Sequence, residues 1–123
     1  MSNPSKRKGT AWERAVQDYL TAVMGCAVHR MPPSGSKDVG DLQFTDRDGD
    51  LVVIEAKATK ALDLAGAVEE ARAEAINAGA AYGVAVIKRR QHGVAAGYVV
   101  MTLADFAALA APSAGGVGEG ATR

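Results

Sequence analysis

Cysteine, aromatic side chains, net charge and long apolar runs are all scarce in this chain of 123 residues. The one cysteine, Cys26, excludes an internal disulfide, suits a reducing cytoplasm and reads as a small core residue. His29 and His92 have no partners at zinc-ligand spacing, so each reads as a surface or structural residue. Aromatic residues form 5% of the chain, too few for a platform that stacks single-stranded bases. No apolar run approaches the roughly 20 residues that span a bilayer. The opening MSNPSKRKGT is basic and polar, unlike a secretory signal. These absences predict a cytoplasmic protein with no membrane partner. The length suits a single domain that can bury its own core.

The 14 basic and 14 acidic residues cancel, yet they are unevenly placed. Lys6, Arg7 and Lys8 crowd the N-terminus, and Lys88, Arg89 and Arg90 form a second basic cluster. Between them lie Asp38, Asp41, Asp46, Asp48 and Asp50. Basic flanks around an acidic centre suit phosphates at a rim and cations in the middle; solvated surface runs account for the same pattern.

Periodicity and turn residues divide the chain into a basic, flexible segment 1–9, one domain over 10–110 and a glycine- and alanine-rich disordered tail over 111–123. Thr10-Ala11-Trp12-Glu13 matches a capping box and predicts a helix from Thr10 to about Gly25, with Trp12, Val16, Tyr19, Leu20 and Val23 inward. Residues 26–30 suit a short strand, 31–40 a loop, and 41–45 and 51–57 two strands. A second helix is expected over 62–78, with Leu64, Val68, Ala71 and Ala75 inward and Glu69, Glu70, Arg72 and Glu74 outside that stripe. Strands over 82–87 and 97–101 and a closing helix over 102–110 complete a mixed α/β (α+β) fold, a central mixed sheet flanked by helices. Leu103, Phe106 and Leu109 on the closing helix suit a core face or an interface equally.

The strand DLVVIEAK raises the functional question, because Glu55 and Lys57 interrupt an apolar run. If Arg47-Asp48-Gly49 is a three-residue hairpin loop, Asp46 pairs with Asp50 and Asp41 falls opposite Glu55. Asp41, Glu55 and Lys57 then share one face, while Val52, Ile54 and Ala56 take the other. Two carboxylates so close share a proton or need a cation, and oxygen ligands favour Mg²⁺ or Mn²⁺. A strand-end ion pair explains Glu55 and Lys57 without chemistry, and a cap explains Glu13.

KGTAWER on the first helix, HRMPPSGSKDVGDL and LVVIEAK together resemble the PD-(D/E)XK nuclease superfamily, and within it the Holliday junction resolvases of archaea and their phage relatives. The resemblance spans about residues 6 to 60 by motif. It implies a restriction-endonuclease-like core and a homodimeric, Mg²⁺-dependent endonuclease, with Mn²⁺ as substitute, that cuts four-way DNA junctions in a prokaryotic or phage-infected cell. It further implies that Asp41, Glu55 and the Ala56 carbonyl bind the metal. Lys57 positions the attacking water, and Glu13 completes the site, directly or through water. Arg30, Ser34 and Ser36 approach the scissile phosphate, with Lys6, Arg7, Lys8 and Lys37 as further DNA contacts. Gly40 replaces the usual proline before the aspartate, and no glutamine opens the helix after the ExK strand. Two other readings share these residues: a restriction- or repair-type nuclease on duplex DNA, and a DNA-binding module without catalysis.

Overall fold

The structure, a computed structural model, describes residues 4–32 and 37–112. Ser34, Ser36 and most of the expected disordered tail therefore lie outside the described residues. Five strands form one sheet in the order β1-β2-β3-β4-β5: His29–Arg30, Leu42–Thr45, Leu51–Lys57, Tyr82–Ile87 and Tyr98–Val100. Only β3 and β4 run parallel, joined by helix α2 (Leu64–Ala78); every other neighbouring pair is antiparallel. Helix α1 (Pro4–Met24) covers the other face, a 3₁₀ turn spans Val94–Ala96, and α3 (Leu103–Ala110) closes the order. The mixed sheet with flanking helices is the fold expected.

Helix α1 starts two turns earlier than the capping box predicts. Pro4 fits a first helical position, where its fixed φ is an advantage and its missing N–H is no loss. Lys6, Arg7 and Lys8 are good helix formers, so helix propagates through residues 4–9 and Thr10 becomes an interior residue. Trp12 and Val16 are buried against Val52, Ile54, Val84 and Val86, and the Trp12 indole donates to the Val86 carbonyl at 3.1 Å. Val23, expected inward, is exposed in the last turn of the helix, and Cys26 is half-buried, not core.

Helix α2 begins at Leu64, where the Asp63 side chain accepts from the Gly66 N–H at 3.0 Å, and ends at left-handed Gly79. Its buried face is Ala67, Val68, Ala71, Glu74 and Ala75. That face departs from the predicted stripe at two positions: Leu64 is half-exposed at the helix start and Glu74 is buried. Small residues let α2 lie close on the sheet. A Cβ on Gly83 would sit 2.1 Å from the Ala71 carbonyl oxygen, so only glycine fits beneath the helix there.

The β2–β3 hairpin has the expected turn. Asp46 N–H donates to the Asp50 carbonyl at 2.8 Å, Gly49 has φ 86°, and the pairing runs from Thr45↔Leu51 to Leu42↔Ile54. The last predicted step differs. Asp41 N–H donates to the Ile54 carbonyl at 2.9 Å, so Asp41 and Leu42 both stand against Ile54. That two-against-one count is a β-bulge, which breaks the ladder and re-aims a side chain.

Candidate active site

The C-terminal end of β3 carries the candidate site. In the parallel pairing Glu55 lies beside Ala85 and Lys57 beside Ile87. Ala85 and Ile87 pack on Ala67 of α2, so Glu55 and Lys57 face α2 while Val52 and Ile54 face α1. The alternation of the strand thus divides the charged residues from the main core, as its pattern predicts.

Asp41 arrives by a different route from the one expected. The bulge removes it from a cross-strand pairing with Glu55, and its Oδ2 instead accepts from the Ala56 N–H at 2.8 Å. A residue in a strand sends its N–H and C=O to the same side. The Ala56 carbonyl therefore lies on the strand edge that Asp41 occupies. Burial pushes the Asp41 carboxyl up to about 6; the Ala56 N–H opposes this, while Glu13 and Asp38 add to it.

Glu55 is 7% exposed, and burial pushes its carboxyl up to about 7, with Asp41 and Glu70 acting in the same direction. Lys57 Nζ lies 3.2 Å from Glu55 and 2.9 Å from Glu70. Burial works against the lysine's charge, but those two carboxylates outweigh it and hold Lys57 protonated beyond its ordinary range. With Asp41, Glu55 and the Ala56 carbonyl at one strand end, the donor set is all oxygen and short of positive charge. It fits a hard divalent cation.

Glu13 does not act as a cap, since its helix starts nine residues before it. It reaches Arg30 at 3.3 Å, and both line a cleft of about 770 Å³ with Lys6, Asp38 and Asp41. The cleft joins α1, β1 and the loop before β2, and brings two predicted phosphate contacts beside two predicted acids. Arg7 and Lys8 are exposed on α1, but neither shares Lys6's direction, because successive helical residues turn by about 100°. Lys37 is exposed in the loop before Asp38.

Several acids do not join the site. Asp46, Asp48 and Asp50 belong to the hairpin turn, where Asp46 Oδ1 accepts from the N–H groups of the other two at 2.9 Å. Among the described residues, the close three-carboxylate group is Asp38, Glu70 and Glu74, not Glu13, Asp41 and Glu55. The sequence pattern places Glu74 outside the apolar stripe, because a glutamate on an alanine-rich helix reads as solvent-facing. It is 2% exposed, and burial, then Glu55 and Asp38, push its carboxyl up to about 10. The spacing of Glu70 and Glu74, one helical turn apart, is the signal that could have found it.

No curated protein matches the chain significantly. Among solved structures, the chain is similar to Hjc, a Holliday junction resolvase from the archaeal hyperthermophile Archaeoglobus fulgidus. The similarity has 24% identity and a TM-score of 0.47, over 71% of this chain and 78% of that one. A family model described as "Phage putative PDDEXK endonuclease" matches residues 4–105, from the first turn of α1 into α3 and across the whole sheet. The extent of that match makes the chain a member of this phage PD-(D/E)XK endonuclease family.

Proposed function

We propose that this nuclease is a Mg²⁺-dependent, structure-selective endodeoxyribonuclease that resolves four-way DNA junctions by paired phosphodiester hydrolysis, acting as a homodimer. The observation that carries the reading is the meeting of Asp41, Glu55 and the Ala56 carbonyl with Lys57 at the end of β3, beside a cleft edged by Lys6 and Arg30. A divalent cation bound there supplies a Lewis acid for the phosphoryl oxygen and lowers the pKa of a bound water. Asp41 and Glu55 hold that cation. Lys57, tethered by Glu55 and Glu70, orients the water and steadies charge developing on phosphorus. Arg30, held at 3.3 Å by Glu13, is fixed to receive the scissile phosphate, and Lys6 extends the same rim.

Selection of shape fits the chain better than selection of sequence. Neither the loops nor α1 offers a run of base-reading side chains, whereas basic residues stand at the site's borders. Lys88, Arg89 and Arg90 are exposed just past β4, where the Lys88 N–H meets the Lys57 carbonyl at 2.9 Å. These three residues are a second candidate phosphate contact, one hydrogen bond along the backbone from Lys57. A second copy fits the exposed apolar residues Leu103 and Phe106 of α3, with Tyr98 and Val99 of β5 nearby in the chain.

The test compares a labelled four-way junction with a linear duplex of the same sequence, each with Mg²⁺ or EDTA. Junction cleavage that needs Mg²⁺ and greatly exceeds duplex cleavage is expected. Equal cutting of the two would favour a restriction- or repair-type nuclease. Binding without cleavage at any metal concentration would leave a DNA-binding module.

A further inference from the structure

We propose that Asp38, Glu70 and Glu74 form a second site for a hard divalent cation, adjoining the Asp41–Glu55 end of β3. One carboxylate oxygen from each of the three lies within 4.8 Å of the others. Three carboxylate oxygens that close can share one ion, and an all-oxygen donor set suits Mn²⁺, Mg²⁺ or Ca²⁺. Glu70 and Glu74, four residues apart on α2, project from one face of the helix. Asp38 meets them from the loop before β2.

The cluster is more than exposed acids that happen to be neighbours. Glu74 is 2% exposed, and neither of its oxygens has a hydrogen-bond donor among the described residues. Its polar surroundings are other carboxylates, Glu55 and Asp38. Lys57 pairs with Glu70 and Glu55. A buried carboxylate without a donor is costly, and α2 could have used an apolar residue there, as it does at Ala67, Ala71 and Ala75. A metal ion removes that cost and also explains why an acid occupies the position.

Asp38 is held ready for the same role. Its Oδ1 accepts from the Gly40 N–H at 3.0 Å, and its carbonyl accepts from Asn77 Nδ2 at 2.8 Å. Asn77 stands three residues beyond Glu74, so α2 fixes both the acid and the loop that faces it. An ion at this point would fasten α2 to the loop before β2. It would also draw Glu70 from Lys57, leaving the lysine one carboxylate partner.

The ion can be counted without any cleavage, so its test needs no DNA. Mn²⁺ binding to the full chain is counted by electron paramagnetic resonance, with Asp41→Asn present throughout to weaken the neighbouring site. One Mn²⁺ is expected to remain bound. Adding Glu74→Gln, Glu70→Gln or Asp38→Asn should weaken it at least tenfold. Glu70 and Asp38 are exposed, so their variants keep the test valid if Glu74→Gln does not fold. If Asp41→Asn alone binds no Mn²⁺, or the added substitutions leave binding unchanged, a proton is what neutralises Glu74 and the proposal fails. Failure to cut junctions, by contrast, would leave this result untouched.

Discussion

Gly40 is the residue on which the position of Asp41 turns. Its φ is 91°, and a Cβ there would lie 2.3 Å from Val53 Cγ1 and 3.2 Å from the Ile54 carbonyl oxygen. Glycine therefore lets the chain enter the bulge against β3. Gly40→Ala should destabilise the fold by about 2 kcal/mol or more, measurable by chemical denaturation; a loss within error would mean the loop yields freely. At the site itself, Asp41→Asn, Glu55→Gln and Lys57→Ala should each lower cleavage by roughly 100-fold or more, with junction binding retained in a gel-shift assay. Wild-type cutting by any of these variants would move the active site elsewhere. Metal binding requires ionised carboxylates, and burial holds Asp41 at about 6 and Glu55 at about 7. The Mg²⁺ concentration for half-maximal cleavage should therefore rise as pH falls from 8 to 6. A constant requirement would show that neither acid titrates in that range. Glu55 and Lys57 were legible in the sequence because spacing along one strand carries them, and Asp41 because the Gly49 hairpin returns it to the same end of that strand. Glu74 was not, because burial of a helical glutamate depends on what lies across from it.

At the scale of elements, α1 and the hairpin show how local signals compete. Thr10 and Glu13 satisfy a capping pattern, but Pro4 and the basic residues after it let the helix begin sooner. Glu13 is thereby freed to hold Arg30 at 3.3 Å, and Lys6 reaches the cleft from a helix instead of a loose arm. Deleting residues 2–9 should weaken junction binding and flatten its salt dependence, since phosphate contacts carry that dependence, while Trp12 and Val16 keep the core intact. Unchanged salt dependence would remove Lys6, Arg7 and Lys8 from the DNA surface. In the hairpin, Gly49 and the alternation of β3 specified the register down to Leu42↔Ile54. The bulge one residue later has no strong sequence mark beyond Gly40 itself.

Across the whole molecule, the clustered acids link stability to pH. Asp41 and Glu55 have folded values above their unfolded ones, so folding takes up protons and stability falls as pH rises from about 4 through 7. Glu74, pushed up to about 10, extends that loss to higher pH. Lys57, raised as well, keeps its contribution throughout this range. The metal-free protein should melt lower at pH 8 than at pH 5.5, by on the order of 5 °C, and Mn²⁺ should narrow the gap. A higher melting temperature at pH 8 without metal would contradict the burial of these acids. The outer surface carries its own prediction. Leu103 is 82% exposed and Phe106 53%, so α3 is not the core face that its composition also allowed. Phe106→Glu should convert a dimer to a monomer in analytical ultracentrifugation without lowering thermal stability; an unchanged dimer would place the interface elsewhere.

The sequence by itself determined the order of strands and helices, the hairpin register as far as Leu42↔Ile54 and the shared face of Glu55 and Lys57. Those follow from turn chemistry and from periods of two and 3.6 residues, which act between near neighbours in the chain. Only the tertiary structure decided that Asp41 meets the Ala56 N–H through a bulge, that Glu13 turns to Arg30, and that Glu74 is enclosed with Asp38 and Glu70. Each of these depends on which surface another element presents, and no local rule carries that information.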